Sequence, residues 1–247
     1  MTIVQIRRIT IVLLAVLAGA AIVMAGMRVG VDPTASSPVA DQSRAAVSDR
    51  PSVLFVGDSF TAGTGVHNEV DAYPALIARS ARWNVHVDAQ GATGFIADGK
   101  GTGNGDTSRL IDRLAEDGRH FPVVDLLIID AGRNDLGYPT EEIAAAIAEY
   151  LAQARRQWPE AKIVQILPAF LVSRPYDTYP DLLGRINSSL AAVDGTLIDR
   201  FAEDWYTGAD LDSLVVSDKV HPNRLGRAHI ADRLLASLRD KGMVPAT

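Results

Sequence analysis

The run Val53-Leu54-Phe55-Val56-Gly57-Asp58-Ser59-Phe60 decides the architecture. Four consecutive apolar residues, β-branched and aromatic among them, stop abruptly at Gly-Asp-Ser, so the stretch reads as a strand without a polar face that ends in a tight turn. A strand with no side for water must be covered on both. Similar short apolar runs return at Asn84–Asp88, Val123–Asp130, Lys162–Leu167 and Thr196–Ile198. Between them the pattern turns helical near Tyr73–Ala81, Ser108–Asp117, Thr140–Gln157 and Tyr179–Ala192, and a last helix is expected from Asn223 to about Leu238. Strands apolar on both faces and separated by helices build a parallel sheet clothed on both sides. The expectation is an α/β fold, a three-layer α/β/α sandwich with a five-stranded parallel sheet, formed by residues 51–243.

The 247 residues suffice for one such domain and a terminal appendage. Residues 1–30 hold Arg7, Arg8 and Arg28 and no acidic residue; the rest of the chain carries 21 basic against 30 acidic side chains, a net of −9. A body this acidic argues against nucleic acid as a partner, because phosphate-backbone binding runs on Lys and Arg. With no cysteine, disulfides, thiolate nucleophiles and zinc–thiolate sites are excluded. Arg7-Arg8 precedes an uncharged apolar run from Ile9 to Met27, the pattern of an export signal. Cleavage after Ala18-Gly19-Ala20 would release the protein, whereas the intact run of 19 residues is close to the roughly 20 that cross a bilayer. Residues 1–30 are therefore expected to be a signal peptide or a membrane anchor, and the protein extracytoplasmic, secreted or tied to the membrane by this segment only. Residues 31–50, small, polar and proline-containing, read as a flexible linker.

In open parallel sheets ligands bind outside the carboxyl ends of the strands. Ser59 follows the first strand, Gly91 of Gln90-Gly91-Ala92-Thr93-Gly94 the second, and Asn134 of Gly132-Arg133-Asn134-Asp135 the third, so all three belong to one edge. A serine hydroxyl needs a base to take its proton and a third group to orient that base. Asp218-Lys219-Val220-His221-Pro222 supplies both: across three residues the Asp218 carboxylate can fold back onto the His221 ring, and Pro222 is expected to open the closing helix. Asp58 is assigned to the turn. His67, His86, His120 and His229 lack metal-ligand spacing and are assigned to packing or the surface. The glycine-rich Asp98–Gly105 segment lacks P-loop spacing and is expected to be a flexible loop. The Gly-x-Ser-x-Gly elbow of the α/β-hydrolase fold is absent, since Thr61 follows Ser59 by two.

These four blocks, in this order, resemble the SGNH (GDSL-type) hydrolases from about Pro51 to Leu238. The resemblance implies a flavodoxin-like sheet and an ester hydrolase, of esterase or lipase type, acting through an acyl-enzyme. It assigns Ser59, His221 and Asp218 to the triad, and it assigns the oxyanion donors to the backbone N–H groups of Ser59 and Gly91 and the side-chain amide of Asn134. It implies no metal, no organic cofactor, a monomer, and a small-molecule, lipid or glycan ester as substrate. Phe60 stands where the family name has leucine, and Ala89 where relatives often carry asparagine. A carbohydrate O-acetylesterase, an acyltransferase of the cell envelope and a non-catalytic envelope binding module are the competing readings. Two insertions, one with Phe170, Pro175, Tyr176 and Tyr179 and one with Trp205 and Tyr206, either line an acyl or sugar site or pack the loops themselves.

Overall fold

The structure, a computed structural model, describes residues 50–64, 72–171 and 180–244. The expected signal or anchor and the linker fall outside the described residues, as do His67, Pro175, Tyr176 and Tyr179. Among the described residues no helix is long and apolar enough to cross a membrane.

Five strands form one parallel sheet: β1 (Ser52–Gly57), β2 (Asn84–Ala89), β3 (Leu126–Asp130), β4 (Lys162–Ile166) and β5 (Gly195–Ile198), in the order β2-β1-β3-β4-β5. The helices are α1 (Ser59–Ala62), α2 (Tyr73–Ala81), α3 (Leu110–His120), α4 (Thr140–Gln157), α5 (Pro180–Ala191) and α6 (Arg224–Asp240). The expected α/β/α sandwich is what forms. Alternation along β1 explains why its sequence has no polar face. Val53 and Phe55 join a core with Tyr73 and Ile77 of α2 and Ile230, Leu234 and Leu238 of α6. Leu54 and Val56 point to the opposite core, shared with Leu114 of α3, Ile147 and Leu151 of α4 and Ile186 of α5. Burying each such side chain contributes roughly 1.5–3 kcal/mol, so β1 anchors both layers.

Most boundaries shift by one to three residues, and two of the differences have a clear physical cause. β3 begins at Leu126 because Val123, 69% exposed, lies before the sheet and only the Ser52 hydroxyl touches its carbonyl. Pro222 does not open α6: Asn223 caps it, its side-chain oxygen accepting the N–H groups of Leu225 and Gly226 at 2.9 and 3.1 Å. Pro222 instead bridges to Val215. An N-cap that binds two of the orphan first-turn donors outweighs proline's preference for the first helical position.

The strand order reverses between β1 and β3, which opens a crevice at their carboxyl ends. α6 packs on α2 beside β1, although the chain has just left the far edge strand β5. That return carries His221, immediately before α6, back to the crevice.

Candidate active site

β1 ends at Gly57 and α1 begins at once, with Asp58 as its N-cap: Asp58 Oδ1 accepts the Phe60 N–H at 3.0 Å. Gly57 has to be glycine, because a β-carbon there would overlap the Thr61 side chain and come within 2.9 Å of the Asp130 carbonyl. The sharp exit places Ser59 on the first residue of α1.

The loop from Leu211 to Asn223 is tied back on itself. Val216 N–H donates to the His221 carbonyl at 2.9 Å, and the Asn223 side-chain amide donates to Ser213 and Val215 carbonyls at 2.8 and 2.9 Å. Inside it, Asp218 accepts the N–H groups of Val220 and His221 on Oδ1 at 2.8 and 2.9 Å, and its Oδ2 lies 2.7 Å from His221 Nδ1. The other ring nitrogen, Nε2, is 2.9 Å from Ser59 Oγ, 162 positions away in sequence. Desolvation works against the charge on Asp218, but the hydrogen bonds from the His221 ring and the two backbone N–H groups prevail and hold it at about 2.

Gly91 and Asn134 meet the same space. Ser59, Gly91, Asn134 and His221 line one cleft of about 280 Å³, together with Thr64, Ala92, Asn104, Arg133, Phe170 and Val220. Among the described residues no hydrogen bond occupies the backbone N–H of Ser59 or Gly91. Asn134 donates one amide hydrogen to the Thr93 carbonyl at 2.8 Å, which fixes its orientation and leaves its second hydrogen to the cleft. Asn134 sits in a 3-10 turn, Arg133–Asp135, entered through Gly132 at φ 106°. Only glycine takes that angle without strain.

Several further residues build the site, all but Asp58 without a role read from the sequence. Asp135 is fully buried and its carboxylate accepts three consecutive backbone N–H groups, Phe95, Ile96 and Ala97. Asn104 reaches the cleft from the glycine-rich segment, which is a loop as expected, with Gly99, Gly101, Gly103 and Gly105 all at positive φ. Arg133, Asp58, Asp130 and Arg200 form a buried ion cluster beneath Ser59. Burial pushes Asp58 above the usual carboxylate range against the pull of Arg133, whereas the two guanidiniums hold Asp130 below it despite its burial.

Of the insertion aromatics, Phe170 lines the cleft. Trp205 does not; it is buried in the core, its indole N–H donating to Ser237 at 3.0 Å, and Tyr206 stacks on His229. His86 stacks on Phe121, and His229 lies 2.6 Å from the Trp205 carbonyl, so both take packing roles. Among the described residues no group of three His, Cys, Asp or Glu could hold a metal ion.

The sequence profile of the GDSL-like lipase/acylhydrolase family matches residues 55–229, which carry all of these site residues. The chain belongs to that family. It is a carboxylic ester hydrolase. A GDSL lipase of Mycobacterium tuberculosis is 28% identical to this hydrolase over 195 residues, 74% of the chain and 79% of the relative. Among solved structures, a family two carbohydrate esterase from Clostridium thermocellum in complex with cellohexaose superposes with a TM-score of 0.61 at 17% identity. The match covers 79% of this chain and 65% of that one, just under two thirds of its length. The psychrotrophic esterase EstA from Pseudoalteromonas sp. matches with a TM-score of 0.57 at 14% identity, over 77% of this chain and 97% of its own. At such identities the likeness is one of fold.

Proposed function

We propose that the protein is an exported serine ester hydrolase in which Ser59 attacks, His221 moves the proton and Asp218 orients His221. The observation that carries this reading is the unbroken line from Asp218 Oδ2 to His221 Nδ1, 2.7 Å, and from Nε2 to Ser59 Oγ, 2.9 Å. An ionised Asp218 accepts the Nδ1 hydrogen, which selects the tautomer with a free lone pair on Nε2. As Oγ bonds to the ester carbonyl carbon its proton passes to Nε2, and then to the departing alcohol oxygen when the acyl-enzyme forms. Water repeats the sequence in reverse and frees the acid. The N–H groups of Ser59 and Gly91 and the second amide hydrogen of Asn134 supply donors for the oxyanion. Losing one such donor typically costs two to three powers of ten, roughly 3–4 kcal/mol.

The substrate we favour is a short acyl ester on a bulky alcohol such as a glycan. A cleft of about 280 Å³ with polar Asn104, Asn134 and Thr64 on its walls suits a small acyl group better than a long chain. The relative described as a lipase favours a second reading, lipid esters. Export rests on residues 1–30, and deleting them should leave the protein in the cytoplasm of fractionated cells.

The test is hydrolysis by the full chain of chromogenic esters from about two to sixteen carbons, with acetylated glycan in parallel and Ser59→Ala as control. Activity lost in the variant and greatest on acetyl esters supports the proposal; a maximum at long chains selects the lipid reading. Equal inactivity of both proteins on every ester, with acyl transfer to an added alcohol, would move the protein to an acyltransferase.

A further inference from the structure

Arg133 binds three strand ends at once. Its Nη1 donates to Asp58 Oδ2 at 2.9 Å and to the Asp130 carbonyl at 3.1 Å, its Nη2 to Asp130 Oδ1, and its Nε to the Ala169 carbonyl at 2.9 Å. Asp58 follows β1, Asp130 ends β3 and Ala169 follows β4. The guanidinium carbon also lies 4.1 Å from the centre of the Phe60 ring, and Phe60 follows Ser59 in α1. Nothing polar at this site is left to water, since Arg133, Asp58 and Asp130 are each at most 2% exposed. Arg200 Nη2 and the Tyr73 hydroxyl complete Asp130 at 3.4 and 3.0 Å.

Buried ion pairs return little net stability, because desolvation consumes most of their attraction. What this one does geometrically is specific. Asp58 has two oxygens: one caps α1 through the Phe60 N–H, and the other is gripped by Arg133. With both held, Asp58 has one rotamer, and the first turn of α1 that carries Ser59 has one direction, toward His221 Nε2. The next residue after Arg133 is Asn134, so the same side chain registers the nucleophile's turn against the turn that carries the amide donor.

We infer that Arg133 is a positioning residue that acts through Asp58 to hold Ser59 in line with His221 and Asn134. The inference rests on Ser59 being the nucleophile, as proposed above.

The experiment compares Arg133→Met, Asp58→Ser and the double variant with the wild-type chain, reading kcat, KM and the rate at which an alkyl phosphonate labels Ser59, with thermal unfolding as the check on folding. Asp58→Ser keeps an oxygen that can cap the Phe60 N–H but removes the one that Arg133 grips. Each single variant should lose about tenfold or more in kcat and in labelling rate with KM within about twofold, as expected for a misaimed group rather than a lost contact. The double variant should lose no more than Asp58→Ser, because the two act as one unit. If Arg133→Met does not fold, Asp58→Ser and the double variant, which leaves no unpaired Asp58 charge, decide the matter. Asp58→Ser with kcat and labelling within about twofold of wild type, or single losses that multiply in the double variant, would overturn the inference. A wild-type chain that the phosphonate labels at a residue other than Ser59 overturns the nucleophile itself, and the inference with it.

Discussion

Asp135 Oδ2 accepts the backbone N–H of Phe95 at 2.8 Å across 40 positions of sequence. Together with Ile96 and Ala97 on Oδ1, at 3.1 and 2.9 Å, this contact fastens the loop after β2 to the turn after β3. One end of that loop carries Gly91 and the turn carries Asn134, so Asp135 holds two of the proposed oxyanion donors at a fixed separation. Asp135→Ala strands three partly or wholly buried N–H groups, at about 1–3 kcal/mol for each that water cannot reach. Denaturant unfolding should show a loss of at least about 1 kcal/mol, accompanied by a fall in kcat. An unchanged midpoint would mean that the loop is held by something else.

Gly91 and Gly94, three residues apart, should respond oppositely to alanine. A β-carbon on Gly94 would run into the buried Asp135 carboxylate, which its three hydrogen bonds prevent from moving. Gly94→Ala should therefore destabilise by about 1–3 kcal/mol or more. A β-carbon on Gly91 meets only the Asn104 side chain, 2.9 Å from its Oδ1, and Asn104 is exposed and can swing away. Gly91→Ala should keep its stability within about 0.5 kcal/mol of wild type while losing activity, because the methyl group stands in the cleft. Thermal unfolding beside kcat/KM separates the two, and a Gly94→Ala chain as stable as wild type would contradict the packing described.

The contrast between these glycines also explains which parts were legible in the sequence. β1, β4, α2 and α4 could be read because packing on both sides imposes an uninterrupted apolar run on a strand and a 3.6 period on a helix. That Ser59, Gly91, Asn134, Asp218 and His221 would gather at one sheet edge could be read because short blocks preserve their local order. Asp135, Arg133 and Asn104 could not. Apart from Asp130, the partners of Asp135 and Arg133 lie 36 to 75 positions away, that of Asn104 depends on how a glycine-rich loop folds back, and a buried charge leaves no periodic trace. Trp205 and Tyr206 showed the converse: aromatic residues in a strand-end insertion turned out to fill the core beside α6. The one clue to Arg133 was its place between Gly132 and Asn134, where a charge three residues past the end of a buried strand needs a buried partner.

The pH dependence of activity should have one acid limb. Asp218 is held at about 2, so above about pH 4 it is ionised throughout and only protonation of His221 removes the base. log(kcat/KM) should fall toward low pH with a slope of one proton. A slope of two would bring a second acid into the mechanism. Asp218→Asn keeps the shape of the side chain but can donate to Nδ1, which favours the wrong tautomer, and it should cost up to about 10⁴ in kcat. Because Asp218 is largely exposed, the variant should fold normally.

Asp117 on α3 makes stability itself depend on pH. It is 5% exposed, and burial, the charge of the neighbouring Asp88 carboxylate and a side-chain hydrogen bond with Asp88 push it up to about 7. Asp88 is neutralised separately by Arg113 at 2.7 Å, so that guanidinium is already engaged. In the unfolded chain Asp117 releases its proton near 4, whereas the folded protein retains it to about 7. Between these values the native state binds more protons than the unfolded state, so raising the pH draws the equilibrium toward unfolding. The contribution is fully present below about pH 4 and is lost as the pH rises through about 7. Asp117→Asn imitates the protonated acid at every pH. Denaturant midpoints measured from pH 4 to 8 should fall more steeply for wild type than for this variant, with the variant the more stable of the two at pH 8. Parallel curves would show that Asp117 is ionised in the folded protein across the whole range.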